Sequence, residues 1–430
     1  MAIDTPAKIA ILGAGPIGLE AALYARFLGY DVAIYEAREV ADSVLQWGHV
    51  RMFTPFRMNR SSLGLAAIGA HDESYRPPSD DALLTGRERA ERYLAPLSQT
   101  DLLADHLQLR TTVIGIGKEQ LLKGDLPGHE DRGDWPFRIL VRDSEGRERI
   151  DQSDAVIDAT GVFRQPNWLG QGGLPAIGEL SLRSEIEDHE IEYREIEYHL
   201  PDILGRQRDK YAGKHTLVVG AGYSAATHAV ALAELAKESP GTQVTWVTRR
   251  EAGADTGGPL ALIPDDRLTE RDALARKANE LASRGEVRWL PGTVVESIAK
   301  TPAGAFDVQL SGQHRGVQTF DRIIANVGYR PERGLYEELQ MHECYASQGP
   351  MKLAASLLGQ PSADCLDQVS CGPENLLNPE PNFYVLGAKS YGRKSNFLFA
   401  VGLDQVREVF TIIGDRATLN LYSGAINLLK

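Results

Sequence analysis

A short apolar run that ends in a glycine turn and continues with helical periodicity occurs twice in this chain. The first copy is KIAILGAGPIGLEAALY at residues 8–24, and the second is KHTLVVGAGYSAATHAV at residues 214–230. Each apolar run is typical of a strand that is buried on both faces of a parallel sheet. A strand, a glycine turn and a helix form the unit that binds dinucleotides, so the repeat predicts two such domains in one chain.

The first unit carries every part expected of a dinucleotide site. Gly13 allows the tight turn, Gly15 lets a pyrophosphate approach the backbone, and Gly18 lets the helix pack closely on the strand. Pro16 lies within the same turn, where the positive end of the helix dipole favours phosphate. The next apolar strand ends at Glu36, whose carboxylate can accept hydrogen bonds from a ribose diol. The alternative is a glycine turn that is only a structural corner, and the complete unit disfavours it.

The second unit differs from the first in its third small residue and at the end of its second strand. The candidate cofactor residues of its turn are Gly220, Gly222, Ser224 and Ala225. The strand at residues 243–248 is followed by Arg249 and Arg250 instead of an acid. Guanidinium groups suit a phosphate on the ribose 2′ oxygen, and a carboxylate there would repel it. The alternative is that both arginines only solvate the end of the strand.

The repeat extends beyond the two glycine turns. Residues 136–161 have the pattern of two short strands around a turn, followed by an apolar strand that ends at Gly161. Residues 305–328 repeat that order and end at Gly328. The predicted fold class is therefore α/β, with two Rossmann-like dinucleotide-binding domains that carry β-hairpin or meander insertions.

The composition limits the classes of function. Acidic residues outnumber basic ones by 59 to 46, and the formal net charge of −13 disfavours nucleic acid or an anionic membrane as a partner. No apolar run reaches the length of a membrane helix, and the N-terminus has no charged leader. With three cysteines, we expect a cytoplasmic protein without a disulfide framework. His189 and His199 are flanked by carboxylates, but their spacing fits no common ligand pattern, so no metal site is predicted.

The order of these motifs resembles that of the two-dinucleotide-binding flavoproteins. Within that group the chain is most similar to the class B flavin-dependent monooxygenases, which include the flavin-containing monooxygenases and the amine N-hydroxylases. The resemblance implies FAD at the first turn and NADPH at the second. It also implies that a small organic molecule and O2 are the partners, with oxygenation through a flavin C4a-peroxide.

The same resemblance sets the expected domain boundaries. Residues 382–410 are similar to the returning segment that completes the FAD domain, which makes that domain discontinuous. The expected domains are an FAD-binding domain at 1–165 and 331–430, a connector or lid at 166–213, and an NADPH-binding domain at 214–330. The oligomeric state stays open, with a homo-oligomer as one alternative.

The stretch VLQWGHVRMFTPFRMN at residues 44–59 resembles the segment that lies beside the flavin ring in these enzymes. The resemblance places Trp47 and Arg51 on the cofactor side of that segment. It places Thr54 and Asn59 at the face where oxygen reacts, with Asn59 as a hydrogen-bonding partner of the peroxide or of retained NADP. The catalytic candidates are therefore Arg51, Thr54 and Asn59.

Two other classes of function remain as alternatives. One is an NADPH-dependent flavoprotein reductase or oxidase of the same architecture without oxygen insertion. A disulfide reductase needs a close cysteine pair near the flavin, whereas Cys365 and Cys371 have five residues between them and belong to a late loop. The other is a nucleotide sensor that binds without turnover, and measured NADPH oxidation separates it from both enzymes.

Overall fold

The computed structural model describes residues 3–184, 195–250, 257–359 and 364–425. The chain divides into two compact units, the first made of residues 1–165 and 329–430 and the second of residues 166–328. None of the helices described is both long and apolar enough to cross a membrane.

The first unit is built on a five-stranded parallel sheet with strand order β16-β7-β1-β2-β3. Its strands are β1 (Lys8–Leu12), β2 (Asp31–Tyr35), β3 (Leu107–Gln108), β7 (Ala155–Asp158) and β16 (Phe383–Val385). The side chains of β7 are buried along its whole length, as expected for a strand covered on both faces. Because β16 pairs with β7, the C-terminal part of the chain returns to the first sheet.

One face of this sheet is covered by a three-stranded antiparallel meander. Its strands are β4 (Thr112–Lys118), β5 (Phe137–Arg142) and β6 (Glu148–Ser153). Alternate residues of β5, namely Phe137, Ile139 and Val141, are fully buried. They belong to the same apolar cluster as residues of β1, β2 and β16, so the alternation along β5 orients the meander on the sheet.

Helices cover the other face, where residues of α1 (Pro16–Phe27), α3 (Ser62–His71) and α11 (Phe399–Ile413) share an apolar cluster with residues of β1, β2 and β7. The other helices of this unit are α2 (Asp42–Gln46), α4 (Gly86–Arg89), α5 (Ala95–Ser98), α10 (Met351–Leu358) and α12 (Leu421–Ala425). A π-helical turn, Ala90–Leu94, joins α4 to α5. Helix α11 packs closely on α1, since a Cβ atom at Gly402 would lie 2.3 Å from Ile17 Cδ1.

The second unit repeats this plan. Its parallel sheet has the order β11-β10-β9-β15-β8, formed by β8 (Ile196–Glu197), β9 (His215–Val219), β10 (Gln243–Val247), β11 (Arg288–Leu290) and β15 (Arg322–Ala325). The meander strands are β12 (Thr293–Lys300), β13 (Phe306–Gly312) and β14 (Gly316–Phe320). The helices are α6 (Glu179–Ser184), α7 (Arg208–Tyr211), α8 (Tyr223–Glu238) and α9 (Thr269–Ser283). The predicted fold class, two Rossmann-like domains with meander insertions, is confirmed.

Residues 195–213, which were expected in a connector, supply part of the second sheet. Ile196 and Glu197 pair in parallel with Ile323 and Ile324 of β15. The pairing gives β15 a neighbour on its outer side, because a strand at a sheet edge otherwise leaves its backbone groups unpaired.

Candidate functional site

The first glycine turn joins β1 to α1, and its three glycines meet different surroundings. Gly13 has φ +96°, and a Cβ atom there would lie 3.0 Å from the carbonyl oxygen of Ala159. At Gly18 a Cβ atom would lie 1.9 Å from the carbonyl oxygen of Gly13. At Gly15 no described atom lies within 4 Å of the Cβ position. Pro16 is the first residue of α1, so the turn leaves room at the helix N-terminus for a pyrophosphate.

Glu36 follows β2 and lies at the opening of this turn. Its Oε2 accepts a hydrogen bond from the backbone N–H of Ala14 at 2.9 Å, and its Oε1 accepts one from Arg38 N at 2.9 Å. Arg164 Nη2 lies 3.6 Å from Glu36 Oε1 and 3.5 Å from Asp42 Oδ2. Two backbone N–H groups and the guanidinium of Arg164 thus hold the carboxylate of Glu36. This is the position from which a carboxylate is expected to bind ribose hydroxyls. The sequence does not predict this contact, because Arg164 lies 128 residues after Glu36.

The closing strand β7 brings a buried ion pair to the same turn. Lys389 Nζ lies 2.6 Å from Asp158 Oδ2, and both side chains are fully buried. Lys389 Nζ also donates to Thr160 Oγ1 at 3.0 Å, and Thr160 donates to Asp158 Oδ1. Gly161 follows with φ +71°, a conformation that glycine adopts without strain. Lys389 therefore joins the C-terminal segment to the end of β7, a contact that the sequence does not predict.

The segment at 44–59 contains the candidates taken from the family resemblance, and the structure brings two of them together. Asn59 Nδ2 donates to the carbonyl oxygen of Thr54 at 3.1 Å and to Thr54 Oγ1 at 2.8 Å. It also donates to the carbonyl oxygen of Pro55 at 3.0 Å. The buried amide of Asn59 thus fixes the turn that begins at Thr54.

Trp47 and Arg51 lie apart from that turn, against residues 83–86. Arg51 is exposed and its Nη1 donates to the carbonyl oxygen of Leu83 at 2.8 Å. The ring of Trp47 packs on Gly86, where a Cβ atom would lie 2.6 Å from Cζ3. Both side chains are therefore held by the loop before α4 and by the first residue of that helix.

A buried polar cluster lies behind the turn, on the inner side of α1. Glu20 is fully buried, and its Oε1 accepts a hydrogen bond from Tyr93 Oη at 2.6 Å. Burial raises the pKa of Glu20 to about 7, against the opposite effect of the Tyr93 bond. Burial also lowers the pKa of nearby Arg89 to about 10, and Arg89 Nε donates to the carbonyl oxygen of Asn59 at 3.0 Å. The sequence signal for this cluster is one acid inside an otherwise apolar helix.

The second glycine turn has the geometry of the first. Gly220 has φ +136°, and a Cβ atom there would lie 2.1 Å from the carbonyl oxygen of Asn326. At Gly222 no atom of the described residues lies within 4 Å of the Cβ position, and Ala225, in the first turn of α8, is fully buried. Trp246 Nε1 donates to the carbonyl oxygen of Gly220 at 2.7 Å, so β10 holds the turn in place.

The arginine pair follows β10, and Ser224 lies half-buried in the first turn of α8. Arg249 and Arg250 are both exposed. Two donors hold the carbonyl oxygen of Arg250: Thr248 Oγ1 at 3.2 Å and the N–H of Gly292 at 3.0 Å. The backbone that carries the pair is therefore fixed, while the guanidinium groups face solvent.

Metal-binding groups were not expected, and His189 lies outside the described residues. Within the described part of the chain, no group of three or more His, Cys, Asp or Glu side chains is arranged to hold a metal ion. The three cysteines are half-buried and form no disulfide.

Comparison with known proteins gives a class of fold. The chain has the architecture of the two-domain flavoprotein reductases. No protein-family model matches the sequence, and no curated protein matches it.

Three solved structures illustrate this likeness. The bacillithiol disulfide reductase from Bacillus cereus matches with a TM-score of 0.67 at 15% identity, covering 95% of this chain and 99% of that chain. The FAD-bound cadaverine monooxygenase of desferrioxamine biosynthesis from Erwinia amylovora matches with a TM-score of 0.60 at 13% identity, covering 96% and 95%. Thioredoxin reductase from T. acidophilum matches with a TM-score of 0.54 at 16% identity, covering 97% and 98%. At these identities the likeness concerns the fold.

Proposed function

We propose that this protein is an FAD-dependent oxidoreductase that takes its electrons from NADPH and oxygenates a small organic molecule. The observation that carries the proposal is the pair of glycine turns. Each has one glycine, Gly15 or Gly222, whose Cβ position is open, and each begins a long helix. A dinucleotide needs this combination because its pyrophosphate must approach the backbone at the positive end of a helix.

In the first unit, the residues present fit FAD. The open side of Gly15 and the first turn of α1 would hold the pyrophosphate, and Glu36 would accept the ribose hydroxyls. FAD supplies two-electron redox chemistry when it is bound. Lys389 and Asp158 neutralise each other beneath the turn, so they fix the position of Thr160 without adding net charge.

In the second unit, the residues present fit NADPH. Gly222 and the first turn of α8 would hold the pyrophosphate. Arg249 and Arg250 would bind the 2′-phosphate, because their exposed guanidinium groups can donate two hydrogen bonds each to its oxygens.

The cysteines favour oxygen over a disulfide as the electron acceptor. Cys344, Cys365 and Cys371 form no disulfide, and the sequence has no C-x-x-C or C-x4-C pair. The balanced reaction is then substrate, O2, NADPH and a proton giving oxygenated product, water and NADP+. In this reaction Phe56 and Asn59, the buried residues of the turn that begins at Thr54, would form part of the wall that excludes water.

A second candidate function is an NADPH-dependent disulfide reductase. It is favoured by the solved structures, since bacillithiol disulfide reductase and thioredoxin reductase are among those with this fold. In that case electrons from NADPH would reduce a disulfide to two thiols, and one of the three cysteines would have to take part.

The experiment that tests both proposals uses the FAD-loaded full-length protein. NADPH oxidation is followed with O2 alone, with a panel of amines, sulfides and ketones under 18O2, and with glutathione disulfide under nitrogen. We expect one class of organic substrate to carry the 18O label and the disulfide to yield no thiol. The matched control is the Cys344→Ser/Cys365→Ser/Cys371→Ser variant, which should oxidise NADPH as the wild type does.

Three outcomes contradict the oxygenase. If glutathione disulfide yields thiol with the wild type and not with the cysteine variant, the protein is a disulfide reductase. Quantitative hydrogen peroxide release, with no labelled product from any member of the panel, assigns an oxidase. If the protein does not oxidise NADPH under any of these conditions, the proposed oxidoreductase function is wrong, and binding of nucleotides without turnover is the remaining interpretation.

A further inference from the structure

Two buried side chains hold the backbone at residues 59–61, which leads into helix α3. Arg89 Nε donates a hydrogen bond to the carbonyl oxygen of Asn59 at 3.0 Å. Two residues further on, the N–H of Ser61 donates to Tyr93 Oη at 2.9 Å, and Ser61 is the N-cap of α3. Both Arg89 and Tyr93 are buried. The carbonyl group of Asn59 is therefore held from inside the unit, by an arginine that lies 30 residues later in the chain.

Arg89 and Tyr93 belong to one helical segment, which also reaches helix α1. Arg89 is the last residue of α4, and Tyr93 lies in the π-helical turn Ala90–Leu94 that follows it. Tyr93 Oη donates a hydrogen bond to Oε1 of the fully buried Glu20 at 2.6 Å. Single π-helical turns occur frequently at functional sites. This segment thus connects the acid of α1 with residues 59–61.

The guanidinium group of Arg89 is buried, and none of the described carboxylates forms an ion pair with it. Its Cζ lies 4.6 Å from the centroid of the Phe399 ring, and its Nη2 is buried without a hydrogen bond. Burial lowers the pKa of Arg89 to about 10, and the charges of Tyr93 and Glu20 act in the opposite direction. Arg89 therefore has one nitrogen bound to Asn59 and a second nitrogen that an anion could bind.

Glu20 is the carboxyl group that can provide this anion. Its charge acts on Arg89, although the two side chains form no ion pair with each other. Four other elements place polar groups around Glu20: they are Tyr93 of the π-helical turn, Ser61 at the start of α3, Arg89 of α4 and Tyr422 of α12. From α11, the charge of Arg407 acts on Tyr24, one turn further along α1. Arg89 is thus the cation that faces Glu20.

The charge of Glu20 changes near neutral pH. Burial raises its pKa to about 7, against the opposite effects of the Tyr93 and Ser61 hydrogen bonds and of the Arg89 charge. Below this pH the carboxyl group is neutral, and the carbonyl oxygen of Asn59 is the acceptor for Arg89. Above it, a carboxylate competes for the same guanidinium group. A hydrogen bond between two charged groups is about twice as strong as one between neutral groups, so the carboxylate is the better acceptor.

We propose that Glu20 and Arg89 are positioning residues for Asn59, which has two arrangements selected by the charge of Glu20. When Glu20 is neutral, Arg89 holds the carbonyl oxygen of Asn59. When Glu20 is ionised, the guanidinium group turns its free nitrogen to the carboxylate, and the bond to Asn59 weakens. A buried acid that titrates beside a segment with two arrangements is a common form of pH switch.

The change at Asn59 would extend to the turn that begins at Thr54. Asn59 Nδ2 donates to Thr54 Oγ1 at 2.8 Å and to the carbonyl oxygens of Thr54 and Pro55. Movement of the Asn59 backbone therefore changes three hydrogen bonds of this turn. Any effect on oxygenation rests on the proposed function, whereas the positioning of Asn59 belongs to the first unit alone.

The test observes the carbonyl group of Asn59 by NMR. The dipeptide Asn–Arg occurs once in the sequence, at residues 59–60, so protein with 13C at the asparagine carbonyl and 15N in arginine gives one signal for this peptide bond. The full-length protein, with and without FAD, is titrated from about pH 5.5 to about pH 8.5. We expect the carbonyl shift of Asn59 to change in one step, with a midpoint at about pH 7. Glu20→Gln and Arg89→Met should each abolish this step.

Two further variants serve as controls. Arg89→Lys keeps the charge and should retain part of the step. His71→Gln removes an exposed imidazole at the end of α3 and should leave the step unchanged, which excludes a histidine as its source because imidazoles also titrate in this range. Circular dichroism spectra check that each variant is folded.

The proposal is overturned if the carbonyl shift of Asn59 stays constant across this pH range in the wild type. It is also overturned if the step persists in Glu20→Gln or in Arg89→Met. Because the measurement needs no turnover, a protein that does not oxidise NADPH would contradict the proposed function only.

Discussion

Two glycines of one turn illustrate how the same residue type serves different needs. Gly18 has no room for a side chain, because a Cβ atom would lie 1.9 Å from a carbonyl oxygen. Gly15 has φ −80° and ψ −177°, which any residue can adopt, and open space around its Cβ position. Gly15 is thus not required by the fold, which is consistent with a need for space at a bound ligand.

We expect Gly15→Val to fold normally and to lose FAD binding. Valine fits the backbone conformation at this position, but its methyl groups would occupy the space that a pyrophosphate needs. The measurements are the thermal unfolding midpoint of the apoprotein and a fluorescence titration with FAD. Gly18→Ala is the contrasting variant and should lower the free energy of unfolding by about 1–3 kcal/mol through overpacking. Normal FAD affinity in Gly15→Val would mean that the first site is misassigned.

Glu20 gives a prediction about pH. Its pKa is 4.5 in an ordinary environment and about 7 in the folded protein, where burial is the main cause. Below about pH 4.5 the carboxyl is protonated in both states, and above pH 7 the folded state carries the full penalty of a buried charge. Between these limits the unfolded state releases its proton first, so stability falls as the pH rises.

Glu20→Gln should remove this pH dependence. The difference in unfolding free energy between Glu20→Gln and the wild type should increase by about 3 kcal/mol from pH 5 to pH 8, in favour of the variant. The amide oxygen of glutamine can still accept the Tyr93 hydrogen bond. Urea unfolding across this pH range measures the difference, and parallel curves for the two proteins would show that Glu20 does not titrate there.

At the scale of elements, the ends of strands carry the candidate binding groups. Glu36 follows β2, Asp158 ends β7, and Arg249 follows β10 by two residues. The carboxyl ends of parallel strands meet at one edge of a sheet, so within each unit the helix N-terminus and the side chains that follow its strands lie at the same edge of its own sheet. Trp246 of β10 adds a bond to the carbonyl oxygen of Gly220, which couples the strand to the turn.

The pair Arg249 and Arg250 should determine the preference for NADPH over NADH. Arg249→Ala and Arg250→Ala should each lower the affinity for NADPH by roughly ten- to a hundred-fold, which is the effect of losing one charge-assisted hydrogen bond. The affinity for NADH should be unchanged, because NADH has no 2′-phosphate. The effect should decrease as salt increases, because both side chains are exposed. Steady-state flavin reduction with both coenzymes provides the measurement.

The control for this pair is Arg288→Ala, an exposed arginine at the start of the neighbouring strand β11. It changes the net charge by the same amount, away from the end of β10. The proposal for the arginine pair is contradicted if the variants lose the same efficiency of flavin reduction with NADPH and with NADH, or if the wild type prefers NADH. In either case the two arginines would only solvate the end of the strand.

At the scale of the whole molecule, buried ion pairs join distant parts of the first unit. Arg132 and Glu380 are separated by 248 residues, and both side chains are fully buried. Arg132 binds both oxygens of Glu380 and also donates to the carbonyl oxygens of Leu122 and Asp125. Glu380 accepts a further bond from the N–H of Gln340. One ion pair thus holds the meander insertion against two segments of the C-terminal part.

Replacing one member of this ion pair should lower the free energy of unfolding more than replacing both members. Arg132→Met leaves a buried carboxylate without its cation and should lower the unfolding free energy by about 3–5 kcal/mol. The double variant Arg132→Met/Glu380→Met removes both charges and should recover part of that loss. Arg142→Met, at the exposed pair with Glu148, is the control and should cost about 1 kcal/mol or less. Additive losses in the double-mutant cycle would contradict this interpretation.

Much of the site could be predicted from the sequence because its parts are local. Glycine turns, apolar strands and the residues after the strands depend on neighbours a few positions away, so their spacing is visible in the chain. Asn59 and Thr54 are five residues apart and are found together. Arg164 beside Glu36 and Lys389 beside Asp158 could not be predicted, because their contacts form only after the strands have been ordered in the sheet.

The sequence by itself determined two α/β units, each with a parallel sheet and a glycine turn that leaves space for a dinucleotide. Hydrophobic periodicity and turn-forming residues depend on neighbours that are close in the sequence, so they can be recognised from a short stretch of the chain. Only the tertiary structure decided that Glu20 is buried as a titratable acid and that Lys389 pairs with Asp158. These features depend on segments hundreds of residues apart, where packing and desolvation decide which groups meet and which charges must be paired.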